Sequence, residues 1–206
     1  MRLERLLTLK EYIEQNRDNV IELLKSVLVI ESYGIKYAIR FEPRFYQKLQ
    51  LSKERRRLIE KMRKYIDGYV SQNTALMLLS CSYGYLQILG YNFLRFFEKY
   101  EINTLKFHID VYNEFFQCLY LIDFLIRNNI DIGNVIFAIK EEKFNRDLHK
   151  LAIRYNGSVS YIDKLYRSYK TLQELEKHEK ERFESLSEFL ISEALLYIDK
   201  MKEIEK

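Results

Sequence analysis

The sequence predicts an all-α protein, a bundle of six to eight helices that ends in a long C-terminal helix. Its 206 residues include 6 Gly and 1 Pro, too few for the frequent turns of an all-β sandwich. Apolar residues recur every three or four positions along most of the chain, the period of an α-helix. A composition of 48% apolar and 31% charged residues is typical of globular domains. We therefore interpret residues 1–206 as a single helical domain.

The first 67 residues contain three helical patterns. Residues 3–13 and 20–28 place apolar side chains at helical spacing on either side of a polar break, which predicts two helices or one bent helix. A helix boundary is expected at Glu42, because the residue before Pro43 disfavours helix. Ser52 is the expected N-cap of a basic helix that runs to about residue 67.

The middle of the chain is strongly apolar. We predict one helix of about 25 residues from Asn73–Thr74 to Tyr100, and a second from Asn103–Thr104 to Asn128–Asn129, as the central pair of the bundle. The 27 uncharged residues 68–94 also allow a membrane span. Amide and hydroxyl side chains within this region would be costly in lipid, so we favour a buried helix of a protein core and do not expect a membrane partner.

The last third of the chain is predicted to be helical as well. Residues 135–155 keep helical spacing, and Asn156–Gly157 suits a left-handed helix end. Residues 160–206 contain no Gly or Pro, which permits one long helix, with 171–206 as a C-terminal extension. Residues 176–182 lack apolar side chains, which indicates either a solvated span or a hidden break.

Residues 144–170 resemble a helix-turn-helix segment in pattern. Ala152 would lie in the first helix, Asn156–Gly157 and Val159 in the turn, and Ser160 at the start of the second helix. On this hypothesis a groove would be faced by Tyr161, Lys164, Arg167 and Ser168. An ordinary helical hairpin uses the same turn residues and is the simpler alternative.

Positive charge is concentrated in two stretches. Residues 40–64 hold ten basic against three acidic residues, a net charge of +7, and residues 140–170 hold eight against four, a net charge of +4. Clustered cations of this kind suit the phosphates of nucleic acid, although a solvated helix face would have the same pattern. The proposed contact residues are Arg55, Arg56, Arg57, Lys61, Arg63, Lys64, Lys150, Arg154, Lys164 and Arg167.

Motifs for catalysis are not evident. The sequence lacks HExxH, CxxC, GxSxG, P-loop and GxGxxG patterns, so we expect no catalytic residues, no metal and no cofactor. Cys81 and Cys118 lie in apolar runs and are expected to be buried, unpaired thiols. The charged residues among Met1–Glu4 are unlike a signal peptide, which indicates a cytoplasmic protein.

The sequence therefore favours a non-catalytic nucleic-acid-binding protein, of DNA or RNA. The alternative is a helical interaction or scaffold protein whose basic faces meet an acidic partner. The apolar stripe of residues 183–204 is expected to form a homo-oligomer contact, because a helix with such a stripe is marginal alone in water. Folding of this stripe onto its own bundle is the competing arrangement.

Overall fold

The computed structural model, which describes residues 2–204, confirms an all-α bundle with a long C-terminal helix. Its first two helices, α1 (Arg2–Gln15) and α2 (Arg17–Glu31), are separated at Asn16. The polar break therefore divides two helices, as the first alternative predicted. Their apolar faces enter the core, with Leu6 and Leu24 essentially inaccessible.

The basic stretch begins with strand β1 (Ile39–Phe41) and continues into α3 (Pro43–Gln50) and α4 (Arg55–Arg63). Pro43 is the first residue of α3, a position where its missing N–H is not needed. Helix α4 is shorter than predicted at both ends. Ser52 does not cap it but accepts a hydrogen bond from the Glu54 N–H in the preceding turn.

The prediction of one helix from residue 73 to residue 100 is wrong. The chain instead forms α5 (Gln72–Ser80), a hairpin of β2 (Cys81–Tyr83) and β3 (Ile88–Leu89), and α6 (Gly90–Lys99). The N-cap of α5 is Ser71, whose hydroxyl accepts the Thr74 N–H.

The hairpin needs glycine in its turn and directly after its second strand. Gly84 has a φ of +72°, a conformation that favours glycine. At Gly90 a Cβ atom would lie 2.1 Å from the carbonyl oxygen of Leu78. The absence of a side chain thus lets the start of α6 pack directly on α5.

Strands β1, β2 and β3 form one antiparallel sheet in that order. Ile39 pairs with Tyr83 and Ser82 pairs with Leu89. The sheet joins the end of α2 and the start of α3 to the middle of the chain.

The predicted helix from residue 103 to residue 129 is also interrupted. It consists of α7 (Phe107–Asp110) and α8 (Glu114–Arg127). The Asp110 carboxylate accepts hydrogen bonds from Thr104 Oγ1 and Asn113 Nδ2, which stabilises the break. Helix α8 is buried from Phe116 to Leu125, as expected of a helix surrounded by others.

The predicted helix 135–155 is divided into α9 (Ile132–Lys140) and α10 (Arg146–Leu151), which continues as a π-helical turn (Ala152–Asn156). The side chain of Asn145 caps α10 by accepting the Leu148 N–H. Gly157 follows with a φ of +82°, which confirms the left-handed helix end.

The remaining chain forms α11 (Tyr161–Glu174) and α12 (Lys177–Ile204). The region without apolar residues therefore hides a break, which lies at residues 175–176. Helix α12 packs against α8, α1 and α2. Its stripe residues Phe183, Leu190 and Ala194 are fully buried in this packing. The stripe therefore folds onto its own bundle, the alternative to an oligomer contact. Oligomerisation through 183–204 stays a prediction and would have to use the outer side of α12.

Cys81 and Cys118 are buried and unpaired, as predicted. Among the helices formed by residues 2–204, none has the length and apolar character needed to cross a membrane. The long uncharged run is divided between two short helices and the hairpin.

Candidate functional site

A cleft of about 580 Å³ lies between the end of α2, the sheet, α3 and the region where the π-helical turn leads into α11. It brings together residues from both basic stretches, including Arg40 and Lys164. Glu31 and Glu42 contribute two carboxylates. The cleft is therefore assembled from segments that are far apart in the sequence.

Glu31, the last residue of α2, is the buried acid of this cleft. Its side chain is 4% exposed. Burial raises the pKa of Glu31 above its ordinary value of 4.5, because desolvation penalises the charged form more than the nearby Arg40 and Lys164 favour it. A carboxyl group with a raised pKa in a cleft is a recurring feature of acid–base sites.

Tyr161, the first residue of α11, lies beside Glu31. Within the described chain its hydroxyl has no hydrogen-bond partner of acceptable geometry. Burial, followed by the charge of Glu31, raises the pKa of Tyr161 well above its ordinary value. The pair thus contains an unused hydrogen-bonding group, buried beside a residue that lines the cleft.

Arg40 connects the two carboxylates of the cleft. Its Nε donates to Glu42 Oε1 at 2.6 Å, and its Nη1 lies 3.8 Å from Glu31 Oε2. Ser82 Oγ donates to the same oxygen of Glu42 at 3.3 Å. Glu42 therefore holds a guanidinium group next to Glu31.

The hairpin wall of the cleft is fixed by Gln117 of α8. Its Oε1 accepts the Leu86 N–H at 3.1 Å, and its Nε2 donates to the carbonyl oxygens of Tyr83 at 3.2 Å and Val111 at 2.5 Å. A Cβ atom at Gly84 would lie 2.4 Å from this Nε2. Gly84 therefore allows the amide to reach the turn that carries Gln87 into the cleft.

The opposite wall is formed by the π-helical turn. Tyr155 Oη donates to the Leu86 carbonyl oxygen at 2.8 Å, which ties this turn to the hairpin. Its neighbour Asn156 lines the cleft. Single π-helical turns of this kind frequently occur at functional sites.

Three cations around the cleft have no ion pair with any residue between 2 and 204. Arg44 and Lys48 lie on α3, and Lys164 lies on α11. With Arg40 occupied by the carboxylates, these side chains make the cleft suited to a ligand that carries negative charge.

The predicted contact residues on α4 are only partly available. Lys61 is paired with Glu98 at 2.7 Å and Arg56 with Glu60 at 3.1 Å. Arg55 donates to the Gln72 side chain at 3.3 Å, and Arg63 donates to the Val70 carbonyl at 3.1 Å.

The other two predicted residues of this stretch, Arg57 and Lys64, are exposed. None of the six predicted residues from this stretch lines the Glu31 cleft.

The second predicted set is dispersed. Lys150 donates to the Asn129 carbonyl at 2.7 Å and pairs with Asp147 at 3.1 Å. Arg154 donates to Asn128 Oδ1 at 2.6 Å. Both therefore bind the end of α8. Arg167 is exposed on α11, and Lys164 is the one predicted contact residue that lines the cleft.

The helix-turn-helix hypothesis requires a correction. Tyr161 and Ser168, expected to face a groove, are fully buried or nearly so, whereas the turn residue Val159 is exposed. The face of α11 that carries Tyr161 and Ser168 packs into the core because α11 lies against α2 and α9. Lys164 and Arg167 remain on its outer side.

The sequence interpretation did not include Glu31. The sequence feature that could have identified Glu31 is an acidic residue directly after the apolar run Val27–Ile30. This feature by itself also fits an ordinary helix end. Among residues 2–204 no group of three or more His, Cys, Asp or Glu side chains could hold a metal ion. The chain matches no protein-family model, no curated protein and no solved structure with which it was compared.

Proposed function

We propose that the protein is an enzyme that hydrolyses glycosidic bonds, with Glu31 as its general acid. The observation that carries this proposal is the position of Glu31, whose side chain is 4% exposed, lies 3.8 Å from Arg40 and lines a polar cleft of about 580 Å³; burial in this position raises its pKa. A second carboxylate, Glu42, lies in the same cleft in a different environment, bound to Arg40. Glu42 thereby fixes Arg40 beside Glu31, and Glu31 is the carboxyl group that the cleft leaves as a general acid.

The raised pKa keeps Glu31 protonated to a higher pH than an ordinary glutamate. Glu31 donates this proton to the bridging oxygen as the bond from that oxygen to the sugar carbon breaks. A water molecule adds its oxygen to the same carbon, and its released proton restores Glu31. The carboxylate that exists in between faces Arg40 and the charge of Lys164, which stabilise it. Glu42 acts as a positioning residue for Arg40.

The lining of the cleft supports a sugar substrate. Hydrogen-bonding groups that suit sugar hydroxyls come from Ser82, Gln87, Asn92 and Asn156, and Phe45 and Tyr155 add aromatic rings. The unpaired cations Arg44, Lys48 and Lys164 favour a polysaccharide that carries carboxylate or phosphate groups. This substrate class is part of the proposal.

The proposal differs from the interpretation of the sequence as a non-catalytic binding protein. The non-catalytic part of that interpretation was based on missing motifs, and a general acid supplied by one glutamate needs no local motif. Nucleic-acid binding and the scaffold alternative stay predictions.

The test is the release of reducing ends from three soluble polymers: a neutral glucan, a uronic-acid polymer and an amino-sugar polymer with carboxylate side groups. Glu31→Gln should lower kcat by about 10²- to 10⁴-fold, while Glu11→Gln, an exposed glutamate on α1, should leave it unchanged. Release of no reducing ends by the unmodified protein, or full activity of Glu31→Gln, would overturn the proposal.

A further inference from the structure

A second site lies outside the Glu31 cleft, in a groove of about 450 Å³ between α4 and the start of α5. Its lining includes three arginines, Arg55, Arg56 and Arg63, against one carboxylate, Glu60. No lining residue is shared with the Glu31 cleft. The groove is therefore a separate, positively charged surface.

The three arginines differ in how their charge is compensated. Arg56 is 93% exposed and paired with Glu60. Arg55 and Arg63 are partly buried and bind neutral groups, the Gln72 side chain and the Val70 carbonyl. These neutral partners orient the two guanidinium groups without cancelling their charge. Such preorganised arginines suit phosphate oxygens, which accept bidentate hydrogen bonds.

An exposed aromatic ring lies next to this groove. Tyr69 is 89% exposed, and the guanidinium carbon of Arg63 lies 5.8 Å from the centroid of its ring. A large aromatic side chain with this exposure has little stabilising role in the fold. Aromatic rings beside cations serve as stacking surfaces for unpaired bases.

We propose that the α4–α5 groove binds single-stranded nucleic acid, with Arg55 and Arg63 on phosphates and Tyr69 under a base. This assigns the polyanion-binding role to two of the predicted residues and to a tyrosine that the sequence interpretation did not name. Arg56 is expected to contribute least of the three, because it is 93% exposed, Glu60 offsets part of its charge, and no neutral partner among residues 2–204 orients it towards the groove.

The experiment measures binding of a fluorescent 12-nucleotide oligothymidylate to the full chain at several salt concentrations. Arg55→Gln and Arg63→Gln should each raise Kd at least fivefold, whereas the control Arg56→Gln, which removes the same charge from the same groove, should change it less than twofold. The slope of log Kd against log salt should fall by about 0.7 for each phosphate that a variant no longer neutralises. Glu31→Gln should leave Kd unchanged, which separates this site from the proposed catalytic one.

A second arm separates nucleic acid from other polyanions. Tyr69→Ala should weaken oligothymidylate binding at least fivefold but leave the binding of inorganic polyphosphate unaffected. Arg63→Lys, which keeps the charge, should still weaken binding of the oligonucleotide and serves if Arg63→Gln unfolds. Equal losses in all three Gln variants would overturn the proposal, as would tighter binding of polyphosphate or anionic phosphatidylglycerol vesicles than of the oligonucleotide.

Discussion

The hydroxyl of Tyr161 is buried beside the carboxyl group of Glu31 and lacks a hydrogen-bond partner among the residues the structure describes. Buried polar atoms are nearly always hydrogen-bonded, and one left unpaired costs about 1–3 kcal/mol. This cost arises beside Glu31, which lines the polar cleft. The unpaired hydroxyl therefore lowers the stability of the fold directly beside Glu31, the proposed general acid.

We expect Tyr161→Phe to leave the free energy of unfolding unchanged or to raise it by up to about 1 kcal/mol, because the ring is retained and the unpaired hydroxyl is removed. Chemical denaturation measures this change. Because the hydroxyl makes no hydrogen bond to Glu31 and the ring is retained, the pKa of Glu31 should stay raised by burial in this variant.

A general acid works only when protonated, so the alkaline limb of the pH–kcat/KM profile should keep its position in Tyr161→Phe. The exposed Tyr37 offers a control, because Tyr37→Phe should move neither the stability nor the profile. A large destabilisation by Tyr161→Phe would show that the hydroxyl is hydrogen-bonded in the folded protein.

The raised pKa of Glu31 also predicts how stability varies with pH. Burial raises this pKa above 4.5, so the folded state binds the proton more tightly than the unfolded chain. The resulting stabilisation is fully present below about pH 4.5 and is lost as the pH rises through the pKa of the folded state.

Glu31→Gln removes this loss of stability at higher pH, because the amide is neutral at every pH. The free energy of unfolding of the variant, minus that of the unmodified protein, should therefore increase from pH 4.5 upward and then level off. The slope is at most about 1.4 kcal/mol per pH unit. Urea denaturation between pH 4 and pH 8 measures it, and parallel curves for the two proteins would contradict the assignment.

The fold class was predictable from helical spacing, but the lengths of the central helices were not. Residues 81–89 form a short apolar run, and such runs fit a strand as well as a buried helix. The deciding interactions, the contact of Gln117 with Gly84 and the approach of Gly90 to Leu78, join different elements and are invisible to local patterns.

The candidate site shows the same difficulty more strongly. The positive charge of both basic stretches was predictable from composition. The sequence did not show which of these cations lie close together in the fold. Lys164 reaches the cleft while Lys150 and Arg154 bind the end of α8. Glu31 gains its significance from Arg40 and Tyr161, which the fold places beside it, and no sequence spacing records that arrangement.

The contact between Gln117 and Gly84 provides a test of the hairpin. Gly84→Ala forces a Cβ atom to 2.4 Å from Gln117 Nε2 and requires a positive φ of a residue that disfavours it. We expect it to destabilise the protein by more than Gly157→Ala, where φ is +82° but no atom lies within 4 Å. The control should cost about 1–2 kcal/mol.

Gln117→Ala should cost about 1–3 kcal/mol, since it leaves the buried Leu86 N–H unpaired. In the double variant the clash at residue 84 is relieved. The sum of the stability losses of the two single variants should therefore exceed the loss measured for the double variant. Additive losses in urea denaturation would mean that the two residues do not act on each other.

Helix α12 offers the last prediction, because its inner and outer faces separate folding from association. Leu190 is fully buried against its own bundle, whereas Phe189 is 45% exposed. Leu190→Ala should lower the free energy of unfolding by about 2–5 kcal/mol without changing the molecular mass in solution. If the predicted oligomer uses the outer face, Phe189→Glu should convert it to a monomer while a surface charge at this position leaves the fold intact. Sedimentation equilibrium measures both masses. A monomeric unmodified protein would overturn the oligomer prediction. The fold would still be explained in that case, because the apolar stripe of α12 is already buried against its own bundle.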